Sequence, residues 1–184
     1  MRLSEPREIL TPRLRLCCWR DSHRDQFAMM HQDPVVMEDL GGPIDRAQSD
    51  QKFNRYVETF RIHRTSRWAV ESLDGTFLGY AGVMARPDPA HPLGFHHEVG
   101  WRFNRTAWGH GYATESAAAA LEYAVRITGL TNIVAYALAT NIRSHAVMDR
   151  LGLRRRQDLD FTMPIDDGGT FEALMWDVDI TRYS

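Results

Sequence analysis

The 184-residue chain is predicted to adopt an α/β (α+β) fold, a mixed β-sheet with helices on its faces. Three patterns indicate this. The first half carries short alternating apolar segments, typical of strands. The second half follows the order helix, strand, helix, strand. Its strand at 132–139 is a nearly continuous apolar run, which predicts burial on both sheet faces.

The first strand and helix are predicted before residue 34. "LRLCCW" (14–19) alternates weakly and carries few turn formers, so it predicts a strand. "DSHRD" then opens a helix, with Ser22 and Asp25 at capping-box spacing. Pro34 predicts the end of this helix, and "GGP" at 41–43 predicts a turn.

A second helix is predicted from Asp45, which can form a capping box with Gln48. Four apolar residues follow at helical spacing: Phe53, Tyr56, Val57 and Phe60. Core packing is the favoured interpretation, and a wall of a substrate cleft is the alternative.

The next segments predict a β-hairpin and one more strand. "RWAVES" (67–72) and "TFLGYAGVM" (76–84) flank a Leu-Asp-Gly turn. The Pro- and Gly-rich segment 85–96 predicts an irregular loop, which could form a cleft edge. "HEVGWRF" (97–103) alternates again and predicts the following strand.

The remaining elements alternate between helix and strand. An Ala-rich helix is predicted to end near Thr128, with Gly129 at its C-cap. The strand at 132–139, a short helix closed by Gly152 and a strand at 171–180 follow. The Ala-rich helix places small residues on one face, which lets it lie close to a sheet: Ala113, Ala117, Ala120, Leu121 and Ala124.

Charge and cysteine content narrow the functional classes. A formal net charge of −2 disfavours a general nucleic-acid binder. The two cysteines, Cys17 and Cys18, are adjacent, so neither a disulfide framework nor a cysteine metal site is expected. The N-terminal segment lacks the apolar core of a signal peptide, and no stretch could span a bilayer. A cytoplasmic protein without a membrane or nucleic-acid partner is therefore expected.

The segment "RTAWGHGYATESAAAALEYAV" (105–125) carries the strongest functional signal. Gly109 and Gly111 flank His110 just before a helix, and glycine lets a ligand approach the backbone. The free N–H groups of the first helical turn, with the helix dipole, attract phosphate groups. A simple turn is the alternative interpretation. The segment matches neither the Walker loop nor the Rossmann fingerprint.

Three motifs resemble those of the GCN5-related N-acetyltransferases, the GNAT superfamily. They are "ILTPRLRLCCWRDSH", "EVGWRFNRTAWGHGYATESAAAALEYA" and "ATNIRSHAVMDRLGL", in the family's order. Within the superfamily the chain is similar to the ribosomal-protein N-terminal (RimJ/RimL-like) acetyltransferases. The resemblance implies a single acetyltransferase domain over residues 1–184. It also implies about seven strands, splayed between strands 4 and 5, with helices on both faces.

The resemblance further implies acetyl-CoA as cosubstrate and no metal. The pantetheine arm would pair with backbone groups in the splay, and the loop before the Ala-rich helix would hold the pyrophosphate. Trp108 stands where the superfamily usually has Gln or Arg. The implied cofactor-binding residues are Trp101, Phe103, Trp108, Gly109, His110, Gly111, Tyr112, Ala113, Thr114, Asn141 and Ser144.

Helical spacing gives independent support for Ser144, which shares an apolar face with Val147, Met148 and Leu151. A hydroxyl there needs a partner, which a cofactor thiol could provide. A bond back to its own helix is the alternative.

An amine acceptor must lose its proton before attacking the thioester. Glu98 is the candidate base, directly or through water. A structural pair with arginine is the alternative for Glu98. His96 and His97 are rival bases. His96 shares the strand face of Glu98, whereas His97 points to the opposite face, so only one of Glu98 and His97 can face the cleft.

Met148 occupies the position where many superfamily members carry a tyrosine that protonates the leaving thiolate. Ser144 is the predicted substitute, unless the thiolate leaves without an acid, as a thiol pKa of about 8.5 permits.

The acceptor is expected to be a primary amine, either a small molecule or a protein N-terminus, and the protein a monomer or homodimer. The alternative function is a catalytically inactive acyl-CoA-binding regulatory module. An unrelated nucleotide-binding protein is a third hypothesis.

Overall fold

The computed structural model describes residues 8–164 and 170–183, which form one nine-stranded sheet and four α-helices. The strands are β1 (Glu8–Leu10), β2 (Leu14–Cys17), β3 (Arg67–Ser72), β4 (Phe77–Arg86), β5 (His96–Phe103), β6 (Ile133–Leu138), β7 (Arg154–Arg155), β8 (Phe161–Pro164) and β9 (Thr170–Asp177). The helices are α1 (Arg24–Gln32), α2 (Arg46–His63), α3 (Tyr112–Arg126) and α4 (Ile142–Arg150).

The sheet is mixed, as predicted. Its strand order is β1-β2-β3-β4-β5-β6-β9-β7, and β8 pairs with β9. β1 to β5 are antiparallel neighbours, β5 and β6 are parallel, and β6 and β9 are antiparallel. A parallel pair needs a crossover connection, which α3 supplies here.

Helices cover both faces of the sheet, also as predicted. On one face α1 and α2 bury Phe27 and Phe53 against Tyr80 of β4. On the other face α3 and α4 bury Leu121 and Val147 in a core that includes β4 and β5. None of the helices in the two described ranges combines the length and hydropathy needed to cross a bilayer.

The sheet has more strands than the seven expected. β1, β7 and β8 were not predicted, and β4 runs on to Arg86, into the predicted loop. β1 and β7 have three and two residues. Such short pairings are created by the neighbouring strand and leave no alternating pattern in the sequence.

The predicted Ser22–Asp25 capping box is wrong. A 3₁₀ turn at Asp21–His23 precedes α1, and the N-cap is His23, without a side-chain capping bond. The ring of His23 is buried and its Nε2 lies 2.9 Å from Glu71 Oε1. This tertiary contact sets where the helix begins.

The predicted Asp45–Gln48 capping box forms. Asp45 Oδ1 accepts from the Gln48 amide at 2.8 Å, and Gln48 Oε1 accepts from the Asp45 amide at 2.9 Å. Along α2, Phe53 and Tyr56 are buried, as core packing of the aromatic residues predicts, whereas Val57 is exposed. The buried stripe of α2 is narrower than the sequence indicates.

Candidate active site

β5 and β6 separate soon after they meet. They pair only at His97 with Ile133 and at Glu98 with Val134, and then continue apart to Phe103 and Leu138. This is the splay expected between the fourth and fifth predicted strands. A cavity of about 260 Å³ occupies the gap.

The cavity reaches both faces of the sheet. On the α2 face it is lined by Arg67, Arg86 and Glu98, and on the α4 face by Ser144 and Met148. The structure therefore brings the two predicted catalytic residues to a shared space, although they lie on different elements. Trp101 and Asn141 line the same space.

Glu98 is a buried carboxylate held by two guanidinium groups. Arg67 Nη2 lies 3.0 Å from Glu98 Oε1, and Arg86 pairs with Oε2. Tyr136 donates its hydroxyl to Oε2 at 3.3 Å. Burial alone would raise the pKa of Glu98, but Arg86 and Arg67 outweigh it and lower that pKa to about 2. Glu98 is therefore ionised at neutral pH and is a weak proton acceptor.

Neither rival histidine lines the cavity as the described residues form it. His96 is buried, with Nδ1 2.8 Å from the Gly94 carbonyl oxygen and Nε2 3.4 Å from the Tyr136 hydroxyl. Burial lowers the pKa of His97. Only His96 connects to the site, through Tyr136.

Asn141 sets the position of α4. Its Oδ1 accepts from the Ser144 amide at 3.0 Å, and its Nδ2 donates to Asp39. Within the described chain, Ser144 Oγ forms no hydrogen bond, so the alternative of a bond back to its own helix is not observed. The hydroxyl is available at the cavity wall.

The loop before α3 has the backbone that its glycines predict. Gly109 has φ 82° and Gly111, the N-cap, has φ 77°. A Cβ on Gly109 would meet nothing within 4 Å, so the backbone is open on that side. Thr114 Oγ1 is buried and has no hydrogen-bond partner in the described part of the chain. The first turn of α3 thus presents unfilled hydrogen-bonding groups.

Arg13, which the sequence did not single out, fastens this loop. Its Nη1 donates to the His110 carbonyl oxygen at 2.9 Å, its Nη2 lies 2.6 Å from Glu115 Oε2, and its guanidinium lies 5.0 Å from the Tyr112 ring centroid. His110 stacks on Tyr112 at 5.3 Å between ring centroids. These contacts, made by the residue just before β2, hold the N-terminus of α3 in place.

The edge of β5 that faces the splay is partly free. The His97 amide bonds to the Asn132 carbonyl oxygen toward β6, so alternation directs the main-chain groups of Trp101 and Phe103 to the same edge. The Phe103 carbonyl oxygen accepts instead from Trp108 Nε1 at 2.9 Å. Trp108 therefore fixes the end of β5.

The protein-family model described as acetyltransferase (GNAT) domain matches residues 13–154 of the chain. The chain belongs to the GNAT acetyltransferase family. The predicted enzyme class is thereby confirmed at family level.

Two relatives and two solved structures are similar to this GNAT chain. The uncharacterized protein YkkB of Bacillus subtilis is 30% identical over 79% of the chain and 84% of its own length. FsC-acetyl coenzyme A-N(2)-transacetylase of Aspergillus fumigatus is 28% identical over 78% of the chain and 63% of its own length. An Agrobacterium tumefaciens acetyltransferase superposes with TM-score 0.78 at 23% identity, covering 97% and 96% of the two chains. RimL, solved with coenzyme A, superposes with TM-score 0.73 at 13% identity, covering 92% of each.

Several cavity residues of this GNAT chain were missed from the sequence. The sequence predicts Tyr136 in a strand buried on both faces, but Tyr136 is half-buried and lines the cavity, so that prediction is wrong at this position. Its signal was a single large polar ring in an otherwise small apolar run. Gly100, which also lines the cavity, leaves room for the Arg67 guanidinium, because a Cβ there would lie 2.6 Å from Arg67 Nη2.

Proposed function

We propose that the chain, as a single domain over residues 1–184, is an acetyl-CoA-dependent N-acetyltransferase. It transfers the acetyl group to a primary amine, of a small molecule or a protein N-terminus, by direct attack in a ternary complex. The observation that carries this is the cavity between β5 and β6, which joins Glu98 on one sheet face to Ser144 on the other.

The open loop before α3 fits the diphosphate of coenzyme A. The amides from Gly109 to Ala113 and the unpartnered Thr114 hydroxyl are donors at the positive end of a helix. Arg13 and the stacked His110 and Tyr112 support them. The pantetheine arm follows the partly free β5 edge at Trp101 and the Phe103 amide, past Trp108, toward Asn141 and Ser144.

The acetyl thioester supplies an activated carbonyl carbon at the cavity. The neutral amine attacks this carbon, the carbon–sulfur bond breaks, the sulfur leaves as a thiolate, and the nitrogen releases its extra proton to cavity water as the amide forms. Ser144 donates a hydrogen bond to that thiolate, because position 148 carries a methionine and not the tyrosine found in many family members.

Glu98 acts by charge in this scheme. Because its pKa is about 2, it stays ionised and orients the incoming amine by accepting an N–H hydrogen bond, while the proton of the ammonium form passes to cavity water. Tyr136 and Arg86 hold the carboxylate in that orientation.

An acceptor screen with acetyl-CoA and thiol detection tests this function. We expect thiol release that depends on an amine, and a decrease of about 10²-fold or more in kcat/KM for Glu98→Gln and Ser144→Ala. Ser22→Ala, an exposed serine distant from the cavity lining, is the control and should be unchanged. Full turnover in both site variants would contradict the assigned roles.

The alternative is a regulatory module that binds acyl-CoA without catalysis, which Met148 favours. It predicts heat of coenzyme A binding by calorimetry without thiol release for any amine. Amine-dependent release would exclude it.

A further inference from the structure

The α2 side of the cavity is strongly cationic. Five basic side chains line it, against two carboxylates. The basic residues are Lys52, Arg55, Arg67, Arg86 and Arg102, and the acidic ones are Asp39 and Glu98. Five cations and two anions leave an excess of three positive charges in a narrow space, where like charges repel more strongly than in bulk water.

Three of the arginines already form salt bridges with a carboxylate of the cavity. Arg67 and Arg86 share Glu98, and Arg102 Nη1 lies 3.0 Å from Asp39 Oδ1. Each carboxylate is therefore in use, and Asp39 also accepts from Asn141 on α4.

Lys52 and Arg55 are left without an acidic partner in the described residues, although both line the cavity from α2. Lys52 is half-buried. Burial, the largest influence, lowers the pKa of its ammonium, with Arg102 and Arg55 acting in the same direction. An anionic group bound beside Lys52 would stabilise the charged ammonium and so oppose this lowering of its pKa.

We propose that the acceptor is a small primary amine that carries a carboxylate, and that Lys52 and Arg55 bind this carboxylate. The proposal rests on the proposed function and names its substrate class. Glu98 accepts a hydrogen bond from the amino end of the same molecule, so the two ends bind at different groups of the cavity. A polyamine would instead bring several positive charges beside the five basic side chains.

The test compares free L-amino acids and short ω-amino acids with their amides, and with spermidine, at saturating acetyl-CoA. Rates are corrected for the neutral-amine fraction of each acceptor. We expect kcat/KM for the carboxylates to exceed that for the matched amides by about 10- to 100-fold, the range for a hydrogen bond to a charged group.

Lys52→Gln should raise KM for the carboxylate acceptor by about 10-fold or more. It should leave kcat, KM for acetyl-CoA and turnover of the amide nearly unchanged, and Lys52→Arg should restore most of the loss. Arg61→Gln is the matched control, because Arg61 lies on the same helix but pairs with Glu58 at the surface. It should change none of these constants.

Different failures have different meanings. Amides, spermidine or a peptide N-terminus used as well as carboxylates would overturn this inference and leave the proposed function intact. So would an equal loss for acid and amide, or a raised KM for acetyl-CoA, in Lys52→Gln. Absence of thiol release with every amine would reject the proposed function and this inference together.

Discussion

Glu98 and its two arginines illustrate how an environment changes what a residue can do. In isolation a glutamate in a cleft is a reasonable general base, because carboxylates accept protons. Here Arg86 and Arg67 stabilise the ionised form and hold its pKa at about 2. A group with so low a pKa holds little of the acceptor's proton at neutral pH.

This predicts the pH dependence of the reaction. Glu98 stays ionised at every pH well above 2, so it adds no limb to the profile between pH 5 and 9. Instead kcat/KM should rise about tenfold per pH unit until the pKa of the acceptor amine is passed. Steady-state rates over this range, with the protein's fold checked at each pH, provide the measurement.

A limb near neutral pH that disappears in His96→Gln would contradict this prediction. It would assign proton transfer to His96, acting through Tyr136, which lies 3.4 Å from its Nε2.

At the scale of elements, the start of α3 depends on a left-handed glycine. Gly111 has φ 77°, and a Cβ there would meet only Arg13 Nη2, at 3.6 Å, an ordinary contact. Substitution therefore acts through backbone strain, which costs roughly 1–2 kcal/mol for a non-glycine residue in this region.

We expect Gly111→Ala to lower the free energy of unfolding by about 1 kcal/mol or more. It should also weaken coenzyme A binding, because relaxation of the strained backbone turns the loop amides away from the diphosphate. Denaturant unfolding and calorimetry measure the two effects.

Gly129→Ala is the matched control at the other end of α3. Gly129 has φ 70° and open space around it, so a similar loss of stability is expected without a change in affinity. Equal affinity in both variants would argue against diphosphate binding at the loop.

At the scale of the molecule, one ligand would contact both halves of the divided sheet. Coenzyme A in the gap would touch β5, α3 and α4 together, so its binding energy adds to the stability of the whole fold. At a concentration 100 times its Kd, it should stabilise the protein by about 2.7 kcal/mol.

That energy corresponds to a rise in Tm of roughly 5–10 °C for a chain of this length. ATP at the same concentration should produce a much smaller rise, since it lacks the pantetheine arm. Thermal unfolding with each ligand is the measurement. Equal protection by ATP would favour a general nucleotide site.

Local signals predicted most of the elements. The Asp45–Gln48 capping box, the hairpin of β3 and β4, the Gly109–Gly111 loop and the glycine-terminated α3 all depend on neighbours in the chain. Elements fixed by remote partners were missed or misplaced. β1 and β7 exist because β2 and β9 pair with them, and α1 begins where His23 meets Glu71.

By itself the sequence determined the fold class, the family and the position of the Gly109–Gly111 loop, because periodicity and short motifs act over a few residues. Only the tertiary structure decided which charged and polar side chains meet at the cavity. Lys52, Arg67, Arg86, Glu98 and Tyr136 come from five separate elements. Their charges act on one another through space, so the low pKa of Glu98 and the excess of positive charge emerge when β5 and β6 separate beside α2.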